Sequence, residues 1–167
     1  MKLYIKKCVI YAYICAVTRI NSGIMPAHLT DQHLMAEYRE MVRIPNAVAR
    51  QHLEGRDVLR AVPDTYRLGT GHVRYFYDKI RHLHRRFNDI REELLDRGYS
   101  LNMDDDMFRI FSENPEMRLL YYHDGVDDML AASVVKPRII ERVSPAHTMR
   151  GRRVDPIEYR AMMDAIY

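Results

Sequence analysis

The longest amphipathic segment of the chain covers residues 71–97 and is followed by Gly98. Apolar side chains recur in it every three or four residues, which is the spacing of one face of an α-helix. A glycine commonly ends a helix in a left-handed turn. The pattern therefore predicts a long helix that packs its apolar stripe on the core. The stripe consists of Val73, Phe76, Tyr77, Ile80, Leu83, Phe87, Ile90 and Leu94.

A second helix is predicted over residues 30–44. Thr30 is a good N-cap, and Asp31 places a negative charge at the positive end of the helix dipole. Pro45 is expected to stop this helix, because proline interrupts a helix interior.

The other connections contain weaker signals. Residues 46–54 indicate a short helix closed by Gly55, and the acid-rich stretch 102–128 indicates one around residues 104–111. No alternating stretch of strand length is found. The predicted fold is all-α, a single compact domain of about three main helices with irregular connections.

Composition limits the possible classes of function. A chain of 167 residues suits one domain, and 47% hydrophobic with 29% charged residues is typical of globular proteins. Both cysteines, Cys8 and Cys15, lie in the first 17 residues. The remainder therefore cannot hold a disulfide framework, a thiol nucleophile or a cysteine zinc site.

The net charge of +3 comes from Lys2, Lys6 and Lys7, so residues 18–167 are neutral overall. Any affinity of that part for nucleic acid must come from local clusters of charge. One cluster lies between residues 136 and 153, where six Lys and Arg residues stand against Glu141 alone.

The first 17 residues admit three interpretations. Their apolar run is too short to span a bilayer. With Lys6 and Lys7 before it and Ala16 near its end, the run resembles a weak secretory signal. In the third interpretation, the segment is not part of the working protein.

The polar face of the helix at 30–44 is a candidate functional surface. It places Glu40 between Arg39 and Arg43, with Gln32 on the same face and His33 at its edge. This face is either a solvated set of helix ion pairs or a phosphate-binding surface around a catalytic carboxylate. The long helix carries a second set of charges, and the simplest interpretation of this set is a solvated basic face. Its cations are Arg74, Lys79, Arg81, Arg85, Arg86 and Arg91, against Asp78 and Asp89.

Histidine spacing argues against a metal site. His82 and His84 are two residues apart, so they point to different sides of a helix. No compact carboxylate or histidine cluster is found, and a metal-dependent nuclease fits the sequence poorly.

Two stretches resemble a known family. "DQHLMAEYRE" (31–40) and "LGTGHVRYFYDK" (68–79) are similar to the pyrimidine-dimer DNA glycosylase/AP lyase family of the phage endonuclease V type. "TRIN" (18–21) resembles the start of those proteins, and the likeness continues through "MVRIPNAVARQHLEG" (41–55) and "RGYSL" (97–101). A weaker likeness returns at "KPRIIERV" (136–143).

The resemblance implies an enzyme that repairs UV pyrimidine dimers and abasic sites in double-stranded DNA. In this family the nucleophile is the α-amino group of an N-terminal threonine, which matches Thr18, and the catalytic glutamate matches Glu40. The family needs no cofactor and no metal. We expect a cytoplasmic monomer without a membrane partner. The residues that match DNA-contacting positions are Arg19, Gln32, His33, Arg39, Arg43, Arg138 and Arg142.

This role for Thr18 requires a free amine, because an amide nitrogen is not a usable nucleophile. We therefore expect residues 1–17 to be a mis-assigned start or a processed leader, and residues 18–167 to be the glycosylase/AP lyase domain. The simplest hypothesis makes Val17 the true start, read as methionine and then removed.

The C-terminal tail departs from the family pattern. The family's tail is aromatic and contains a tryptophan, whereas this chain has none. The residues expected to replace its contacts are Arg150, Arg152 and Arg153 for phosphates and Tyr159 or Tyr167 for stacking. Two alternatives to the enzyme remain: a non-catalytic DNA-binding paralogue with a blocked N-terminus, and an exported helical protein.

Overall fold

A computed structural model describes residues 20–69, 71–122 and 125–167 of the chain. These residues form a predominantly α-helical, compact fold, which confirms the predicted class. The helices are α1 Asp31–Met41, α2 Arg43–Leu53, α3 Ile80–Asp96, α4 Asp106–Glu113, α5 Arg118–Tyr122, α6 Asp128–Arg142 and α7 Pro156–Ile166, with a hairpin of β1 Thr148–Met149 and β2 Arg152–Arg153. None of the described helices is long and apolar enough to cross a membrane.

Helix α1 begins as its sequence predicts. The Thr30 side chain accepts a hydrogen bond from the backbone N–H of His33, and Asp31 occupies the first turn. Pro45 does not stop this helix, however, because α1 already ends at Met41. Pro45 is instead the third residue of α2, where the backbone N–H would have no partner within the helix and its absence costs little.

The predicted helix at 71–97 is shorter in the structure. Residues 74–76 form a 3₁₀ turn, and α3 begins only at Ile80. Asp78, Lys79 and Ile80 are consecutive and all buried, which a helix with one solvent-facing side does not allow. The Lys79 ammonium lies 2.7 Å from Asp78 and 4.3 Å from the centre of the Tyr75 ring, so tertiary contacts override the local pattern.

The second half of this prediction is confirmed. Ile80, Leu83, Phe87, Ile90 and Leu94 are fully buried along α3. The helix is followed by Gly98 with a φ of +83°, the left-handed conformation that favours glycine. Helix α3 packs against α1 and forms the centre of the core.

The C-terminal third is more regular than the sequence suggests. Asp127 caps α6 through the N–H of Leu130, and the helix continues through Pro137 to Arg142. Asp155 caps α7 in the same manner, with Pro156 in its first turn. Neither helix is predicted from the sequence. Pro137 interrupts the apolar period of α6, and α7 is too short to establish one. Helix α7 packs against α6.

A small hairpin joins α6 to α7. Its two strands pair Thr148 with Arg153 and Met149 with Arg152. The turn between them places Arg150 at φ +52° and Gly151 at φ +74°, as a two-residue hairpin turn requires. The hairpin lies against the N-terminal end of α1.

Candidate active site

Glu40 lies at the C-terminal end of α1 and is almost buried, with 8% of its surface exposed. Its two carboxylate oxygens lie 2.8 and 3.1 Å from Nη1 of Arg43, whose side chain is largely exposed. Arg39 is exposed on the same helix. The carboxylate therefore sits at the edge of the solvent in contact with one cation, Arg43.

Two adjoining clefts border this helix face. His33, Arg138 and Arg142 line a cleft of about 50 Å³ between α1 and α6, together with Asn21 and Glu37. The second cleft, of about 330 Å³, is lined by Gln32 and Arg39 among others, and Ala36 belongs to both. The structure thus brings Arg138 and Arg142 to the helix of Glu40, although about a hundred residues separate them in sequence.

The chain enters this region through a tightly held segment. The backbone N–H of Ile20 donates to Nε2 of His72 at 3.1 Å, and the Ile20 carbonyl accepts from the Tyr66 hydroxyl at 2.9 Å. Both side chains are buried. Two side chains therefore fix the backbone of Ile20, which precedes the first cleft-lining residue, Asn21.

Glu37 holds the next residue. Its oxygens accept from the backbone N–H of Asn21 at 3.0 Å and from the Asn21 side-chain amide at 2.8 Å. The same carboxylate forms a two-point ion pair with Arg86 of α3, at 3.0 and 3.1 Å. Arg86 also donates to the carbonyl of Ile24. One buried ion pair therefore anchors residues 21–24 to α1 and α3.

Glu37 is a functional residue that the sequence pattern did not identify. A signal was present, since Glu37 stands between Leu34 and Tyr38 on the apolar side of α1. An acid at such a position needs a buried partner, and that partner is Arg86, which the sequence placed on a solvated basic face. Arg86 is buried, so that interpretation is wrong for this residue.

Thr18 and Arg19, the predicted nucleophile and its neighbour, lie outside the described residues. The described chain begins two residues after Thr18, at the position that His72 and Tyr66 hold.

Gln32 is committed to the hairpin. Its side-chain oxygen accepts from the backbone N–H of Thr148 at 2.9 Å, and its amide donates to the Thr148 hydroxyl at 3.2 Å. Asp31 accepts from the same hydroxyl and from the backbone N–H groups of Arg150 and Gly151. The first turn of α1 thus positions the hairpin beside the clefts.

Two residues of the C-terminal tail are not available to contact DNA as expected. Arg150 forms ion pairs with Asp96 at 2.7 Å and Glu93 at 2.9 Å, so its charge is already neutralised. Tyr159 is buried, and its hydroxyl donates to the carbonyl of His28, so it cannot stack on a base. Arg152 and Arg153 are exposed on β2.

Burial and hydrogen bonding shift the pKa values of several side chains. Burial, with a smaller effect of His147, lowers the pKa of His33 to about 4, and burial lowers the pKa of His72 to about 4. Burial alone would raise the pKa of Asp31, but its hydrogen bonds outweigh burial and lower the pKa overall. His72 is therefore neutral at pH 7, as an acceptor for the Ile20 N–H must be.

These shifts predict an acid-sensitive fold. Between pH of about 6.5 and about 4, the unfolded chain protonates His33 and His72 but the folded chain does not, so stability falls as pH is lowered. Each histidine contributes at most about 1.4 kcal/mol per pH unit. Urea unfolding at several pH values in this range should show the fall in the free energy of unfolding. His72→Gln retains a hydrogen-bond acceptor but cannot be protonated, so it should reduce the slope of this free energy against pH by the contribution of one histidine. An unchanged slope in His72→Gln contradicts the assignment.

Among the described residues, no group of three or more His, Cys, Asp or Glu side chains is placed to hold a metal ion.

A model of the pyrimidine dimer DNA glycosylase family matches residues 17–107. The matched region includes α1, α2 and α3, and therefore Glu40, Glu37 and the two residues that hold Ile20, His72 and Tyr66. Helix α6 and the hairpin lie beyond it. The match covers more than half of the chain, so this protein belongs to the pyrimidine dimer DNA glycosylase family.

Proposed function

We propose that the protein is a bifunctional DNA N-glycosylase and AP lyase that acts on UV pyrimidine dimers and abasic sites in double-stranded DNA. The observation that carries the proposal is the nearly buried carboxylate of Glu40 on a helix whose neighbouring clefts bear Arg39, Arg138 and Arg142. A negative group can stabilise a cationic sugar, while guanidiniums bind the flanking phosphates.

The proposed nucleophile is the α-amine of Thr18. An α-amino group has a pKa of about 7.7–8.0, against about 10.4 for a lysine, so a useful neutral fraction exists at neutral pH. The hydrogen bonds that hold Ile20 and Asn21 support this role, because they place the residues that follow Thr18 and Arg19 in the sequence at the edge of the first cleft.

The reaction then proceeds in two stages. The neutral amine attacks C1′ of the damaged nucleotide, the C1′–N bond breaks, and the base leaves with the bonding electrons and takes up a proton. Loss of an amine proton and opening of the sugar ring give a protonated imine. Removal of a C2′ proton then expels the 3′ phosphate by β-elimination, and Glu40 is the group we assign to these proton transfers.

The proposal requires an active form that begins at Thr18. In a chain that retains residues 1–17 the nitrogen of Thr18 is an amide and cannot form an imine. We propose that residues 18–167 are the glycosylase/AP lyase domain and that residues 1–17 are absent from the active form.

Borohydride trapping on a duplex with one abasic site tests this mechanism. Three forms are compared: one in which initiator methionine is removed to expose Thr18, one with a single glycine before Thr18, and the full 167 residues. Only the first should be trapped efficiently, with the cross-link mapped to Thr18 by peptide mass. The glycine form offers an amine displaced by one residue, so it separates a requirement for position from a requirement for any free terminus.

Two outcomes would count against the proposal. Equal trapping of all three forms would assign the nucleophile to a side chain such as a lysine. Binding of DNA without trapping by any form would support the alternative, a non-catalytic DNA-binding member of the family.

A further inference from the structure

A basic cleft lies at the C-terminal end of α2. Arg43 is at the N-terminal end of the same helix. The cleft has a volume of about 320 Å³ and forms where the last turns of α2 meet the 3₁₀ turn at residues 74–76. We call it the Arg50–Arg74 cleft. Its lining residues are Arg50, Gln51, Glu54, Arg56, Arg74 and Tyr77.

The charge of this cleft is not neutralised from within. Arg56 forms an ion pair with Glu54 at 3.0 Å, which leaves Arg50 and Arg74. Both are exposed, and neither side chain forms a hydrogen bond or ion pair within the described ranges 20–69, 71–122 and 125–167. Two free guanidiniums in one concave site suit an anion with several oxygens, such as a phosphate.

The position of the cleft relative to Glu40 follows from the geometry of α2. Arg43 and Arg50 are seven residues apart on α2, so they lie on nearly the same face and about 10 Å apart along the helix axis. Arg43 contacts Glu40 directly. A distance of about 10 Å corresponds to about three base pairs of B-form DNA. A strand whose damaged nucleotide reaches Glu40 can therefore run along α2 to the cleft.

The neighbouring uncharged groups fit the same ligand. The Gln51 amide donates to the carbonyl of Ala47 and lies 3.5 Å from the Tyr77 hydroxyl, so both side chains are held at the wall of the cleft. Amide and phenol groups are common partners of phosphate and sugar oxygens.

We propose that the Arg50–Arg74 cleft binds backbone phosphates of the DNA about three nucleotides to one side of the lesion. The cleft extends the DNA-contacting surface beyond the clefts on α1, and it does so on one side of the lesion only. This inference rests on the proposed function for the choice of DNA and for the position of the lesion at Glu40. Because the contacts are to phosphates, the cleft contributes affinity without sequence preference.

Binding to short duplexes with a tetrahydrofuran abasic-site analogue, which the lyase chemistry cannot cut, tests the proposal. Each flank of the analogue is shortened one base pair at a time, and affinity is measured by fluorescence anisotropy at several salt concentrations. The wild type should lose affinity in one step when one flank becomes shorter than about three base pairs. Shortening of the other flank should leave its affinity unchanged. The Arg50→Gln/Arg74→Gln variant should show weaker binding to long duplexes and no such step.

The salt dependence gives a second readout. Loss of two phosphate contacts should reduce the slope of log affinity against log salt by about two. The matched control is Arg118→Gln/Arg160→Gln, which removes two exposed arginines from α5 and α7 and should keep both the slope and the step.

The outcomes separate this inference from the proposed function. If the wild type does not prefer the abasic analogue to undamaged DNA, the proposed function fails, while the change in slope on undamaged DNA still tests the cleft. An unchanged slope in the Arg50→Gln/Arg74→Gln variant, or a step that persists in it, overturns the proposal.

Discussion

Replacing Glu40 with glutamine is expected to lower the single-turnover rate of cleavage at both pyrimidine dimers and abasic sites by about 10²- to 10⁴-fold. The substitution retains the shape of the side chain and removes its charge and its capacity to accept a proton. Both are needed in the proposed mechanism, because a cation develops on the sugar and protons must be moved. Rates are measured with enzyme in excess over a labelled duplex.

The fold should survive this change. The described contact of the Glu40 carboxylate is with Arg43, whose side chain is 56% exposed, and exposed ion pairs contribute little to stability. Thermal unfolding and binding to the uncleavable abasic analogue should therefore remain close to those of the wild type. Glu141→Gln, an exposed glutamate on α6, is the matched control and should keep full activity. A Glu40→Gln rate within a few-fold of the wild type would remove Glu40 from the mechanism.

The second large effect is on stability. Glu37→Ala is expected to reduce the free energy of unfolding by about 3–5 kcal/mol, because it leaves the buried guanidinium of Arg86 without its counter-charge. It also removes the acceptor for two hydrogen bonds from Asn21. A small domain has about 5–15 kcal/mol of stability in total, so the variant should be close to unfolding at elevated temperature. Urea unfolding monitored by circular dichroism measures the loss.

A double-mutant cycle isolates the ion pair. Arg86→Met alone leaves the Glu37 carboxylate buried without its cation, whereas Glu37→Leu with Arg86→Met removes both charges and restores apolar packing. The double variant should be more stable than either single one. If the two single losses simply add, the pair is not coupled and the anchoring role of Glu37 is wrong.

The two glutamates Glu40 and Glu37 differ in how far along the chain their partners lie. Glu40 was identified because its neighbours Arg39 and Arg43 form a pattern within one helix and because the surrounding motif resembles a known family. Glu37 lies three residues earlier in the same motif, yet its partners are Asn21 and Arg86, and Arg86 is 49 residues away. Such a partner becomes visible only when α3 packs against α1.

The helix predicted at 71–97 divides in the same way between local and distant contacts. Apolar spacing predicted the part from Ile80 to Gly98 correctly, because that part has one buried face. The spacing failed between His72 and Lys79, where the residues that clamp Ile20 and the buried Asp78–Lys79 pair require an irregular backbone.

The sequence by itself determined the helical class, the starts and ends marked by Thr30, Gly55 and Gly98, and the family, since these depend on neighbours a few residues apart. The tertiary structure alone decided that Arg138 and Arg142 line the same cleft as His33, and that Gln32 holds the hairpin. These contacts join residues about a hundred positions apart. They form only when the apolar faces of the helices pack together, because burial against distant partners, and not local spacing, sets which polar groups meet.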